Sequence, residues 1–129
     1  MQIGEAAKAA DLPVKTVRYY ADIGLVTPVR SASGYRQYGP AELAKLIFAR
    51  RARAFGFSIE EVRELLSLYE DRNRSSADVK EIAQRRLEEI ERRMAELTAL
   101  RAELTHLVDT CRGDHRPDCP ILSRLAPEA

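Results

Sequence analysis

The apolar residues Ala83, Leu87, Ile90, Met94, Leu97, Leu104 and Val108 recur at alternating steps of four and three, with the polar Arg101 filling the one remaining step. That spacing puts them on one seam of a single helix, expected to run from Ser76 to Thr110. Such a helix is about 50 Å long. The segment before it is too small to cover the whole seam, so the spacing predicts a partner helix of matching length and a two-stranded coiled coil. The competing arrangement is a lone amphipathic helix lying on its own domain.

The 129 residues leave room for one compact domain beside that helix, and not for a large ligand-binding domain as well. This limits the effectors such a chain can take. It opens directly into a polar, periodic pattern at Gln2-Ile3-Gly4-Glu5, and no stretch approaches the roughly 20 apolar residues of a membrane span. A cytoplasmic protein with no membrane attachment is expected.

A net charge of +1 conceals an asymmetry. Up to Phe57 the bases are Lys8, Lys15, Arg18, Arg30, Arg36, Lys45, Arg50, Arg51 and Arg53, against Glu5, Asp11, Asp22 and Glu42. The remainder has more acids than bases, which suits a solvated helix with mixed-sign faces. Only the first part looks built to meet phosphates.

That first part reads as short helices. Ile3 to Ala10 is rich in Ala and ends at Asp11-Leu12-Pro13, and Pro13 suits the first turn of a second helix reaching about Asp22. Two short helices joined by a tight turn make a helix-turn-helix, with Ile3, Ala7, Val17 and Leu25 available for a shared core. Gly24 to Pro28 breaks the pattern, and Arg30 to Tyr38, around Gly34, reads as a hairpin or wing. A third helix is expected from Pro40 to near Gly56 with Leu43, Leu46, Ile47 and Ala54 on one face. Ser58-Ile59-Glu60-Glu61 is a capping box that starts a fourth, whose buried face is Ile59, Val62, Leu65, Leu66 and Leu68 or Tyr69.

Lys15 and Arg18 on the second helix, with Arg30 and Arg36 on the wing, place cations at two separated points, as a groove and its flanking phosphates require. Tyr19, Tyr35 and Tyr38 add hydroxyls and ring faces for the sugar-phosphate backbone. Composition alone weighs this evenly against an ordinary helix surface with one core aromatic.

The two cysteines, Cys111 and Cys119, flank a polar loop turned by Gly113 and Pro117, and Pro120 restarts a brief helix through Leu125. Cys-x7-Cys by itself fits a metal site, a reversible disulfide or two unrelated thiols. Placement of Cys119 just before a helix favours its thiolate. Two thiolates suit a soft ion of low coordination, Cu(I) or its relatives Ag(I) and Au(I), better than Zn(II), which takes four N or S ligands. His115, between Asp114 and Arg116, is a candidate third ligand, against which stands the more usual exposure of a His in a polar loop, and His106 on the long helix is a weaker candidate still. No nucleophile-base pair, phosphate loop or three-ligand metal motif points to an enzyme.

The strings Thr16-Val17-Arg18-Tyr19-Tyr20, Gly24-Leu25-Val26, Gly34-Tyr35-Arg36-Gln37-Tyr38 and Arg51 to Ser58, in that order, resemble the MerR family of transcriptional regulators over nearly the whole chain. Ser76 to Lys80 and the Cys111–Cys119 loop followed by Pro120-Ile121 are similar to its copper-responsive branch. The turn over 28–30 is one residue shorter than the family's pattern, which leaves the wing register at Arg30 open.

The resemblance implies a mainly α chain. Residues 1–70 form a winged helix-turn-helix domain, 76–110 a long antiparallel coiled-coil dimerisation helix, and 111–129 a metal-binding loop and short helix. It implies a homodimer that binds double-stranded promoter DNA through Lys15, Arg18, Tyr19 and Arg36, with Tyr20 buried. It further implies an activator that, on binding metal, bends and untwists an overlong spacer for RNA polymerase. In divalent-metal branches a cysteine stands where Ser76 stands here, contributed to the partner subunit's loop. Ser76 is also placed to cap its own helix. Lys80 lies on the same helical face as Ser76 and is a counter-charge for a Cu(I) dithiolate. The alternatives to such a regulator are a thiol-disulfide redox-sensing regulator using the same cysteines and a metal-buffering protein.

Overall fold

A computed structural model describes residues 1–128. The described residues form helices α1 (Ile3–Ala10), α2 (Val14–Asp22), α3 (Pro40–Ala54), α4 (Ile59–Glu70), α5 (Ser76–Thr110) and α6 (Pro120–Leu125) and one small hairpin, β1 (Val29–Arg30) with β2 (Arg36–Gln37). The chain is therefore mainly helical, as expected. Packing divides it into two units, Met1–Arg86 and Leu87–Ala129, so the boundary falls inside α5 and not at the polar stretch near residue 71.

The reason lies in the first turns of α5. Ile82 is buried, Arg85 faces Glu64 at 3.8 Å, and Arg86 Nε donates to the Phe55 carbonyl at 2.8 Å. Gly56 adopts φ +85°, a conformation that favours glycine, and a Cβ there would collide with the Arg86 guanidinium. These contacts make the start of α5 part of the N-terminal unit.

The core of that unit is built where alanines allow helices to approach closely. Ala6, Ala7 and Ala10 of α1 meet Val17 and Tyr20 of α2, with Leu25, Val26, Tyr38, Leu46, Ala49, Ala52, Val62 and Leu66 completing the cluster. Leu43 and Ile47 of α3 are half-buried, but Ala54 is exposed, and Ala49 and Ala52 take the buried face instead. The α3 stripe turns farther round the helix than the larger residues alone indicate. Tyr69, offered as an alternative to Leu68 on α4, is also exposed; its ring lies 5.4 Å from that of Phe48.

Helix ends follow local chemistry. Asp11 ends α1 in the left-handed region at φ 56°. Pro13 is extended (φ −62°, ψ 146°), so α2 begins one residue after it. The capping box forms in full, with Ser58 Oγ accepting from the Glu61 amide at 3.1 Å and Glu61 Oε1 accepting from the Ser58 amide at 2.9 Å. At the start of α5, Ser75 Oγ accepts from the Ala77 amide at 3.2 Å, so Ser75 performs the local capping expected of Ser76.

In the second unit, Leu87, Met94, Leu97, Leu104 and Val108 are exposed, as is Leu100, which the strict heptad series omits. Ile90 is half-buried. No helix among the described residues is long and apolar enough to cross a membrane.

Candidate nucleic-acid interface and metal centre

One face of α2 carries Lys15, Arg18 and Tyr19 in solvent, while Val17 and Tyr20 turn into the core. Helical spacing produces this split, since residues three and four apart share a face. Burial raises the Tyr20 phenol pKa above its ordinary range, opposed in part by the Arg53 guanidinium.

The hairpin settles the wing register. Val29 pairs with Gln37 and Arg30 with Arg36. Gly34 turns the chain at φ +86°, and its carbonyl accepts from Arg30 Nη1 at 2.9 Å. Arg36 Nη2 donates to Asp22 Oδ1 at 2.9 Å, tying β2 to the end of α2; this hydrogen bond, above all, raises the guanidinium's pKa above the usual arginine range.

Arg18, Arg30, Tyr35 and Arg36 come together around a shallow depression of about 310 Å³, with Gln2 and Ile3 on its rim. Helix and wing thus present one basic surface. Arg53, one of the bases in the Arg51 to Ser58 string, joins Lys15 and Tyr19 at a second depression.

Tyr38 does not belong to that surface. It is 1% exposed, and its buried hydroxyl lies under the influence of the Arg36 guanidinium without a well-formed hydrogen bond to it. The expectation that it contacts DNA is corrected: β2 is two residues long, and the chain turns inward directly after it. A hydroxyl so placed contributes little, so Tyr38→Phe, which keeps the buried ring, is expected to leave operator affinity unchanged and not to lower stability. Thermal melting of the two proteins checks this, a lower melting point for the variant being the contrary result.

Cys111 follows the last turn of α5 and Cys119 is the N-cap residue of α6. Both are half-buried free thiols, with their sulfurs 3.9 Å apart. Arg124 Nε donates to Glu103 Oε1 at 2.7 Å, holding α6 back against α5. Gly113, at φ 64°, and an Asp114 Oδ1 contact to the Arg116 amide shape the loop between them.

The Leu122 backbone amide, helped by that of Ile121 and by the Cys111 thiol, lowers the Cys119 thiol pKa below the ordinary cysteine range against the opposing effect of burial. A proton therefore competes for this sulfur only at lower pH than for an unperturbed thiol.

Sulfurs 3.9 Å apart admit one bridging ion. With metal–sulfur bonds of about 2.3 Å, a tetrahedral angle needs about 3.8 Å between sulfurs and a linear arrangement about 4.6 Å. Separation alone therefore accepts either after a small adjustment, and donor number decides. No group of three or more His, Cys, Asp or Glu side chains suited to a metal occurs among the described residues. His115 and His106 are exposed. The residues present fit a soft ion satisfied by two thiolates and do not by themselves complete a four-coordinate site. Ser76 and Lys80 are exposed on the first turns of α5, in the other unit.

Comparison with known proteins gives two family matches and several similar regulators. Residues 1–69 match the family described as MerR HTH family regulatory protein, and residues 43–107 match that described as MerR, DNA binding. The chain is 56% identical over 126 residues to the HTH-type transcriptional regulator HmrR of Rhizobium leguminosarum bv. viciae, covering 98% of each. It is 43% identical over 127 residues to the regulator CueR of Salmonella typhimurium, covering 98% of this chain and 92% of that one. Among solved structures, the transcription regulator PbrR691 from Ralstonia metallidurans CH34, in complex with lead(II), superposes with a TM-score of 0.83 at 36% identity, covering 98% of this chain and 99% of that one.

Proposed function

The chain belongs to the MerR family of helix-turn-helix transcriptional regulators, and from that premise we propose that it is a homodimeric activator answering a monovalent soft metal ion, Cu(I) or its relatives Ag(I) and Au(I). The observation that carries the metal reading is the facing pair of sulfurs, with no group of three or more His, Cys, Asp or Glu side chains suited to a metal among the described residues. Its relatives are regulators and not enzymes.

In this reading Lys15, Arg18, Tyr19, Arg30, Tyr35 and Arg36 meet promoter DNA, α2 entering the groove and the wing tracking phosphates. Two such heads in a dimer meet two half-sites of a palindrome. Metal binding shifts the dimer toward a form that bends and untwists the promoter spacer for RNA polymerase, so activation is a change in DNA deformation.

Selectivity follows from charge and donor count. Two thiolates and one monovalent cation leave one net negative charge, for which Lys80 supplies the counter-charge. Ser76, on the same face of α5, brings a hydroxyl where a divalent ion needs a third sulfur, and in the dimer these two side chains serve the loop of the partner subunit. The lead(II) complex of PbrR691 makes a divalent response the specific rival. Ser76→Cys is therefore expected to widen the response toward Zn(II) or Hg(II), with Lys80 keeping the gain small; a transcription assay in each metal checks it.

Operator binding tests the interface separately. Arg18→Ala is expected to weaken binding by about 1–3 kcal/mol, roughly five- to 150-fold, with metal affinity unchanged. An electrophoretic mobility-shift titration reads this, and unaltered DNA affinity removes Arg18 from the interface.

A further inference from the structure

We propose that Cys111 and Cys119 also form a two-electron oxidation site for small hydroperoxides, closing to an intramolecular disulfide that blinds the protein to metal while its DNA-reading surface stays intact. The disulfide stands on the sulfur geometry alone, while the loss of metal response rests on the metal reading above. The sulfurs are 3.9 Å apart, and a disulfide needs about 2.05 Å, so closure moves them together by about 1.9 Å.

Neither helix needs to unwind for that movement. Cys111 lies just past α5, its amide donating to the Leu107 and Val108 carbonyls at 3.1 and 3.2 Å, and Cys119 lies just before α6. The Glu103–Arg124 pair joins the helices that carry the two thiols. Both cysteines are half-buried and neither is fully enclosed. No other cysteine is present to compete within the chain. Held side by side, the thiols react with each other at an effective concentration near millimolar, far above that of a second molecule in dilute solution.

The chemistry balances with the hydroperoxide as oxidant. One thiolate attacks the O–O bond, forming S–O and releasing water or an alcohol once the leaving oxygen is protonated. The second thiolate attacks the sulfenyl sulfur, S–S forms, S–O breaks and the hydroxyl leaves as water. Two electrons and both thiol protons pass to the peroxide. The nearby second thiol intercepts the sulfenic acid before further oxidation. A bound metal ion occupies the same sulfurs, so metal and oxidant exclude one another.

The test treats reduced, metal-free, full-length protein with hydrogen peroxide, followed by alkylation and peptide mass spectrometry. The expected result is loss of both alkylatable thiols, a Cys111–Cys119 cross-link within one chain, retained operator binding, and recovery of both thiols with a dithiol reductant. Glu103→Gln is expected to slow cross-linking. Sulfinic acid on either cysteine without a cross-link, or cross-links only between chains, overturns the proposal. Failure of the reduced protein to bind Cu(I) refutes the metal reading alone and leaves the cross-link result to stand or fall by itself.

Discussion

Cys119→Ser is expected to abolish metal-dependent transcription while operator binding persists. With sulfurs 3.9 Å apart, the two thiolates act as a chelate, and once the first has bound, the second binds as an intramolecular ligand. Removing one forfeits roughly 10²- to 10⁴-fold in affinity. No neighbouring His, Cys, Asp or Glu cluster stands ready to replace it among the described residues. The lowered Cys119 pKa keeps its metal-binding thiolate more populated near neutral pH than that of an ordinary thiol. Cys111→Ser is expected to behave alike. The DNA-reading residues lie in the Met1–Arg86 unit and the cysteines in the other, so operator affinity serves as an internal control for folding. Full activation of Cys119→Ser by Cu(I) contradicts the site.

The second large effect concerns assembly. Ile90→Glu combined with Leu97→Glu is expected to convert the dimer to monomer and to reduce operator affinity by the loss of one half-site contact. Leu97 is 64% exposed on the single chain, in line with Leu87, Met94, Leu104 and Val108, an apolar seam with no cover on its own unit. Two carboxylates per helix meeting across a dimer seam are desolvated without partners, a cost of several kcal/mol per buried ion. Sedimentation reads the result, and a surviving dimer means that another face of α5 carries the interface.

Much of the architecture was legible in the sequence because its punctuation is local. Pro40 and Pro120 start helices, Ser58 and Glu61 close a capping box, and Gly34 turns the wing. Long-range contacts of single polar side chains were not legible. Arg50, counted among the bases of a phosphate-binding face, donates to the Ala10 carbonyl at 2.9 Å and seals the end of α1. Arg63 does the same for the Ile23 carbonyl at 2.8 Å, across forty residues of sequence.

Small residues were equally ambiguous. Alanine fits a buried or an exposed position, so periodicity does not separate Ala54 from Ala49 and Ala52. Adjacent serines hide which of them caps α5. Tyr38 misleads because strand alternation has no meaning in a strand of two residues. For the metal loop, sequence supplies both sulfurs and their count, and the fold adds their separation together with the Glu103–Arg124 contact that joins α6 to α5.

Selectivity for a monovalent soft ion through two thiolates is read in transcription in vitro from the cognate promoter. The unmodified protein, operator DNA and RNA polymerase are combined in a reducing buffer with Cu(I), Ag(I) or Zn(II) supplied separately under a competing chelator. Activation by Cu(I) and Ag(I), with Zn(II) near the metal-free level, is the predicted result. Activation by Zn(II) equal to that by Cu(I) contradicts it.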